Sequence, residues 1–599
     1  MKHAPALASR KRHASSIAAI AACLLAQTAQ SAPPAPVIAP TAAMEAHRTV
    51  TSWIRSTNVP ADPPSIDLEG VTAVSVTLRR SGRVIGRGTE VASPNSPAEA
   101  LQLAASQAWI EASEQLREVN DALHADRLSD AVQALTIDLE LAGQWTPIGG
   151  ASFADASRQV SPGIEGVGAR VGGRLVAVFP GTMHSSNRTA GQAMLSASGA
   201  LDLPPLPLLQ LRTDHNLVVY RYPVTRLAQI DPLSAPIFLF RGGRITPASD
   251  VTSASLNAFA DQLARNILSR HWPSAEPLGL MDTIRPWMGG YADPVVASPR
   301  SQSLAILALT RWSSLSAEPE VRFRTVRALL SELAAIDETE TDPATELTSA
   351  AMTLYTINES LRSGVWKNQA LPSDLNDLRT RCRSAVETGI GAASTIDPPV
   401  LALVVCAAAT DDSFDRSEVE QVIRSLFRDA PPQELPALSP WLGWAEIALH
   451  EEDARLPSTI ALREHRSILW RHQISSTGVG ADEPDLLGGI VFTASRHPEP
   501  NWQTARALAL IATMLGDDRL TKPDERLPEI VNLTRSIRFL MELAIDETDA
   551  ALVPITASTG VGAVRMSLTD QRAPLDAAAM TLLTTCETIN AFDRVKSGR

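Results

Sequence analysis

The chain has 599 residues, with 53 basic and 66 acidic side chains and a formal charge of −13. The basic residues are spread singly among acids, which excludes a surface built to grip a nucleic-acid backbone. The length predicts two to four domains, and only five of the basic residues are lysine, a bias toward arginine that marks no site.

The first residues carry Lys2, Arg10, Lys11 and Arg12 without an acid, followed by the apolar run Ile17 to Ala26 and then Ala29, Gln30 and Ser31. This pattern predicts a secretory signal peptide over residues 1–31, cut after Ser31, and so an exported protein, periplasmic or extracellular. Its removal takes away four basic residues and no acid, moving the formal charge from −13 to −17. Cys23 sits where a loose lipoprotein box would place it, but Leu24 and Leu25 continue the apolar run past it, so lipidation is not expected. No later apolar run is longer than Val400 to Ala409, too short for a membrane span.

Residues 32–66 hold Pro33, Pro34, Pro36, Pro40, Pro60, Pro63 and Pro64 and read as a linker with one short helix around Met44 to Ile54. From Val71 the period becomes two. Val74, Val76 and Leu78 alternate with Ser75 and Thr77, and Ser81-Gly82 turns the chain into Arg83 to Ile85, a β-hairpin. Leu101, Ala104, Ala105, Ala108, Ala112, Leu116 and Val119 then fall on one helical face. Leu135, Ile137, Leu139 and Leu141 give a strand whose Thr136, Asp138 and Glu140 are expected to face water. Gly172-Gly173 joins strand-like runs at Val167 to Val171 and Leu175 to Phe179. A short helix over Ala190 to Ala200 and strands at Leu217 to Tyr222 and Ile237 to Phe240 complete a mixed α/β domain over residues 67–270.

Residues 271–599 read as all-helical. Segments near 299–314, 319–336, 344–362, 372–388, 398–410, 416–429, 436–451, 457–473, 500–516, 526–546 and 574–593 are separated by proline and glycine breakers. Three junctions repeat one design: Gly289-Gly290-Tyr291 before Pro299, Gly488-Gly489-Ile490 before Pro500, and Gly560-Val561-Gly562 before Pro574. Each places glycines at a turn, an extended stretch after it and a proline near a helix start. Recurring helix pairs bury their apolar faces only by stacking, so a superhelix or closed ring is expected. The fold class is therefore α+β, a mixed α/β domain followed by an all-α helical-repeat domain.

Past the leader, Cys382, Cys406 and Cys586 each lie in an apolar helical stretch, an odd count at wide spacing that forms no disulfide framework. Buried thiols are expected, with a Cys382 to Cys406 bridge the alternative.

The Gly-Gly, extended loop, Pro and Ala/Leu-rich helix pattern resembles the inner-helix junctions of the α/α-toroid proteins, which include terpenoid cyclases, protein prenyltransferases and several glycan-processing enzymes. The resemblance covers about residues 275–599 and implies a toroid. The chain lacks the cyclases' Asp-x-Asp-Asp motif and the prenyltransferases' Asp, Cys, His zinc set, so neither activity is implied. Val76-Thr77-Leu78, Gly82, Arg87-Gly88, the glycines from Gly163 to Gly168, Gly172-Gly173 and Phe179-Pro180 are similar to the AMMECR family over about residues 70–225. Where that family has a cysteine this chain has Thr89, which removes any thiol chemistry there.

The most polar junction runs Asp570-Gln571-Arg572 to Asp576 at the start of the last helix. Two carboxylates beside an arginine suit general acid and base work on a glycan, making Asp570 and Asp576 the catalytic candidates with Arg572 beside them. The plainer explanation is that Asp576 complements the helix dipole and Asp570 pairs with Arg572. Asp282, Arg285, Trp287 and Tyr291 form a second cluster able to grip a sugar or planar polar ligand, and His497, Glu499 and Trp502 occupy the matching loop of the second junction. Loop-stapling is the plainer explanation of both.

His465 and His472, seven apart on a helix, lack a third ligand, and no His-Glu-x-x-His or Cys-x-x-Cys occurs, so no metal or cofactor is expected. The glycines at 163, 166 and 168 are flanked by strands and read as a tight turn, not a phosphate loop. Gly-x-Ser-x-Gly is absent. An architecture without a matching catalytic set leads to the expectation of a binding or scaffold protein for an unknown protein or a small-molecule or glycan ligand. The alternative is a glycan-acting hydrolase or lyase with its site in the cavity of the toroid.

Overall fold

The computed structural model describes residues 37–597 apart from 93–94, 121–125, 275, 292–294, 337–342, 368, 451–454, 478–482 and 493–496. The expected leader, residues 1–31, lies outside the described residues. The amino-terminal half contains α1 (Pro40–Arg55), β1 (Ala73–Arg80), β2 (Arg83–Val91), α2 (Pro97–Asn120), α3 (Asp126–Gln133), β3 (Thr136–Ala142), β4 (Thr146–Pro147) and α4 (Phe153–Ser157). It continues through β5 (Glu165–Val171), β6 (Arg174–Val178), α5 (Pro180–Ser185), α6 (Ala190–Ala200), α7 (Leu208–His215), β7 (Val218–Ala228) and β8 (Ile237–Phe238). The strands form an antiparallel sheet in the order β2-β1-β3-β7-β5-β6, with β4 and β8 paired to β7.

The register follows the sequence alternation. Val74 faces Leu141, Val76 faces Leu139 and Leu78 faces Ile137, and these side chains pack with Ala104, Ala105, Ala108 and Ala112 of α2. Small residues on both sides bring the helix unusually close. A Cβ on Gly88 would lie 1.9 Å from the carbonyl oxygen of Ala104, so Gly88→Val should cost at least about 1–3 kcal/mol through forced separation of α2 from the sheet. A lowered urea midpoint would register it. The short helix expected around Met44 to Ile54 is α1, which starts earlier at Pro40, and its Ala43, Ala46, Val50, Trp53 and Ile54 are buried against the same core.

The opposite face of the sheet departs from the sequence expectation. Thr136, Asp138 and Glu140 are 6%, 2% and 2% exposed and do not face water. Arg79 and Arg226 meet Asp138 at 3.1 and 3.0 Å, and Gly181 of α5 donates its N–H to Glu140 at 2.7 Å. The alternation is real, but this sheet is covered on both sides, by α1 and α2 on one and by α5 and the helical half on the other. Leu552 of the helical half packs with Ala228 and Leu239 at the edge of this covered face. Charge pairing, not hydration, compensates the buried carboxylates.

The helical half begins earlier than expected, with α8 (Ser253–Ser269), whose Leu256, Phe259, Leu263 and Ile267 belong to the helical core. It continues with α9 (Pro299–Ser314), α10 (Pro319–Ala335), α11 (Pro343–Arg362), α12 (Ser373–Gly391), α13 (Pro398–Ala409), α14 (Arg416–Asp429), α15 (Trp441–Leu449) and α16 (Thr459–Arg471). The remaining helices are α17 (Thr504–Leu515), α18 (Arg526–Leu543), α19 (Glu547–Leu552), α20 (Ala557–Gly560) and α21 (Leu575–Ser597). Among the described residues, α9, α11, α13, α15, α17 and α21 touch in that order, and α21 returns to α9. Outer helices flank this closed circuit: α8 lies on α21 and α9, α10 on α9, α12 on α11 and α13, α14 on α13 and α15, and α18 on α17. The inner helices are rich in Ala, Leu and Thr because they are enclosed on every side; in α17 the residues from Ala507 to Ala512 are all buried. Cys382, Cys406 and Cys586 are buried and free of disulfides. No helix among the described residues is long and apolar enough to cross a membrane.

Ion pairs and a hydrogen bond to Thr246 join the halves. Arg241 meets Asp485 at 2.8 Å and also Glu483, and Arg538 meets Glu542 at 2.9 Å while Glu542 accepts the N–H of Thr246. Burial pushes the Glu542 carboxyl up to about 7 and that of Asp549, paired with Arg565, up to about 6. A carboxyl whose folded pKa is raised contributes stability at low pH that is lost as pH rises through the folded value. Raising pH from 5 to 8 should therefore lower the thermal midpoint, and Glu542→Gln should flatten that decline. His465 acts in the other direction. Burial lowers it to about 4, so its contribution is complete above the unfolded pKa near 6.5 and fades as pH falls toward 4.

Candidate functional site in the helical ring

The three glycine-flanked junctions lie together at the end of the ring where the inner helices begin. Ile284 and Ala573 form an isolated bridge, as do Asn501 and Ser567, so the first and second junctions both meet the third. Fully buried Arg270 fastens this rim by donating to the carbonyls of Asp282 and Ala573 at 2.6 and 3.1 Å. Gly488 holds φ +91°, and a Cβ there would meet the carbonyl oxygen of Arg535 at 2.1 Å, which is why glycine stands at that hinge.

The residues chosen from sequence are spread over this rim. Asp570 accepts from Arg572 Nε at 2.9 Å and from Asn187 Nδ2 of the α/β half at 3.2 Å. Burial pushes its carboxyl up, but these hydrogen bonds outweigh it and hold the group below the usual carboxylate range. Asp576 pairs with Arg300 at 3.2 Å in the first turn of α21. Tyr291 packs into a small apolar cluster with Ile284, Val553 and Ile555, and Trp502 packs on the helical core. Arg285 is exposed, while Asp282, Trp287 and His497 are half-buried. His465 meets Ser439 at 3.0 Å and His472 the carbonyl of Val491 at 2.8 Å, so the two imidazoles serve different neighbours. Among the described residues no group of three or more metal-type ligands gathers.

None of these sequence-chosen residues lines the cavity at the other end of the ring, where the inner helices finish. That cavity has a volume of about 990 Å³. Five of the inner helices supply its walls directly: Arg311 from α9, Tyr355 and Glu359 from α11, Trp444 from α15, Thr513 from α17 and Glu587 from α21. Arg311 lies between the two carboxylates, with Nε 3.2 Å from Glu359 Oε1 and Nη1 3.7 Å from Glu587 Oε1. The alignment is poor, so that neither Arg311 Nε nor Glu587 Oε1 forms a hydrogen bond. Thr513 Oγ1 reaches Glu587 Oε2 at 3.4 Å and accepts Trp444 Nε1 at 2.9 Å. The Tyr355 and Trp444 rings lie 6.4 Å apart at 37°.

The electrostatics are those of a cluster drawn out of water. Burial pushes the Glu587 carboxyl up, partly opposed by Arg311. Burial lowers Arg311, but Glu359 and Glu587 more than reverse this and keep it firmly charged. Burial also raises Tyr355, Cys406 and Cys586, so these thiols are inert, not nucleophilic. Glu446, deeper between α15 and α16, accepts the N–H of Ser458 at 2.7 Å, and its Oε2 lies 4.0 Å from His450 Nε2 on the cavity wall.

No known protein family and no curated protein matches the chain. The chain is similar to a crystal structure of an uncharacterised protein, PH0010, from Pyrococcus horikoshii. The two share 16% identity over 32% of this chain and 92% of that one, with a TM-score of 0.24.

The cavity residues carried a signal that the motif search passed over. Arg311 follows Leu304 to Thr310, Glu359 follows Ala350 to Asn358, and Glu587 follows Met580 to Cys586. Each is a charge late in an otherwise enclosed apolar helix. An isolated charge in such a setting needs a partner across the fold.

Proposed function

We propose that this chain is an exported binding protein whose helical half is an α/α toroid and whose α/β half is AMMECR-like, with a small polar or glycan ligand held in the ring cavity. The toroid reading is supported by the closed circuit of inner helices and by the junction pattern in the sequence. The AMMECR-like reading rests on the sequence likeness over residues 70–225, and export rests on the leader pattern. The observation that carries the ligand reading is the set of polar groups lining a 990 Å³ cavity, where Arg311 Nε and Glu587 Oε1 lack hydrogen-bond partners beside the aromatic rings of Tyr355 and Trp444. Binding sites for hydroxylated ligands combine such groups, a few fixed polar contacts with an aromatic wall.

Titration of the purified protein against a panel of mono- and oligosaccharides, followed by calorimetry and melting temperature, tests this. Binding weakened by Trp444→Ala is expected; a panel that neither releases heat nor shifts the melting temperature overturns it. A second reading, a hydrolase or lyase in the same cavity, is favoured by the raised carboxyl of Glu587 beside a second carboxylate, Glu359. Release of reducing ends from an oligosaccharide, abolished by Glu587→Gln, is the result that would select it.

A further inference from the structure

We propose that the ring cavity selects ligands that carry a protonated amine on a hydroxylated frame, the amino sugars being the class that meets both needs; this rests on the reading of the cavity as the ligand site. Charge comes first. Arg311 lies between the carboxylates of Glu359 and Glu587 and Arg594 also acts on Glu587, yet over the whole lining five carboxylates face four guanidiniums, an excess of one negative charge. Glu587 is 8% exposed, its Oε1 accepts no hydrogen bond, and its Oε2 lies 3.4 Å from a Thr513 hydroxyl that also has the Ala509 carbonyl at 3.0 Å. A second acceptor without a donor, Glu446 Oε2, lies behind His450 in a residue that is 0% exposed.

The unmet acceptors beside the cavity call for a ligand that donates, and the unmet Arg311 Nε for one that also accepts, as a sugar hydroxyl does, since a buried polar atom left without its partner is costly. A neutral sugar supplies hydroxyl donors but leaves the charge deficit in place. An ammonium group supplies three donors and the missing charge together. The cavity wall suits the same chemistry. Trp444 and Tyr355 offer aromatic surface to a sugar ring and to a nearby cation, and the Trp444 indole N–H is already held by Thr513, which fixes the ring in position.

Three disaccharides with the same β-1,4 frame separate the contributions: the glucosamine dimer with a free amine, its N-acetylated counterpart with an amide, and cellobiose with a hydroxyl. Calorimetric titration of each into the whole protein at pH 6 should show the amine form binding about tenfold or more tightly than the other two. Glu587→Gln, close in shape, should erase that preference. Equal affinity for all three, tighter binding of the amide or hydroxyl form, or no binding of any overturns the amine proposal. The wild-type comparison needs no variant to fold. The cavity reading is judged separately, by whether any other saccharide of the wider panel gives a signal that Trp444→Ala removes.

Discussion

Replacing Arg311 by methionine is expected to destabilise the protein by about 3–5 kcal/mol, because it leaves Glu359 and Glu587, each with a side chain 9% exposed, facing each other without their shared cation. The loss should be read as a lower denaturant midpoint with an unchanged slope. The cause can be separated from lost packing by neutralising all three positions together. Arg311→Met with Glu359→Gln and Glu587→Gln should recover most of the stability, since the guanidinium and the two carboxylates that face it are then removed together. A triple variant as unstable as the single one would show that the guanidinium matters by its shape and not by its charge.

Asp138→Ala should cost a similar amount, about 3–5 kcal/mol, in the α/β half. Asp138 is 2% exposed and is the common partner of Arg79 and Arg226, which are 1% and 5% exposed. Its removal leaves Arg79 with the Gly82 carbonyl at 3.2 Å and Arg226 with Glu140 at 3.9 Å, poor compensation for two buried guanidiniums. Burial pushes the Asp138 carboxyl up, but the two arginines outweigh it and hold its pKa below the ordinary value. The stability it contributes is therefore present above the unfolded pKa and fades as pH falls through the folded one. A denaturation series at pH 7 and at pH 3 should find the wild-type advantage over Asp138→Ala shrinking at the lower pH. An advantage equal at both would show that the pairing contributes little.

Local features of the fold were legible because local chemistry sets them. Pro299, Pro319 and Pro398 stand at the first positions of their helices, and the alternation from Val74 to Leu78 fixes which strand face meets α2. What escaped depends on a second layer. Thr136, Asp138 and Glu140 have the pattern of a solvated face, and only the arrival of α5 and the helical half encloses them. In the same way the helix expected around Met44 to Ile54 starts earlier, because α1 accommodates Pro40 at its first position, where no N–H is needed. The ring cavity was harder still. Arg311, Glu359 and Glu587 sit on three helices far apart in sequence, and nothing local says that closure of the ring brings them together. The junction loops were visible from their glycines, yet glycine marks a backbone requirement and not chemistry, and the structure seats those loops where the two halves meet.

The contact between α9 and α21 has a bearing on how the protein is made. Residues 299–314 must wait for residues 575–597 before the flank they share is covered. During vectorial synthesis the growing arc presents two sticky ends, one on α9 and one on whichever inner helix was completed last. A nascent chain held in that horseshoe form is exposed to self-association, so α21 acts as a keystone. Deleting it should turn a closed ring into an aggregating arc, not merely a slightly weaker one.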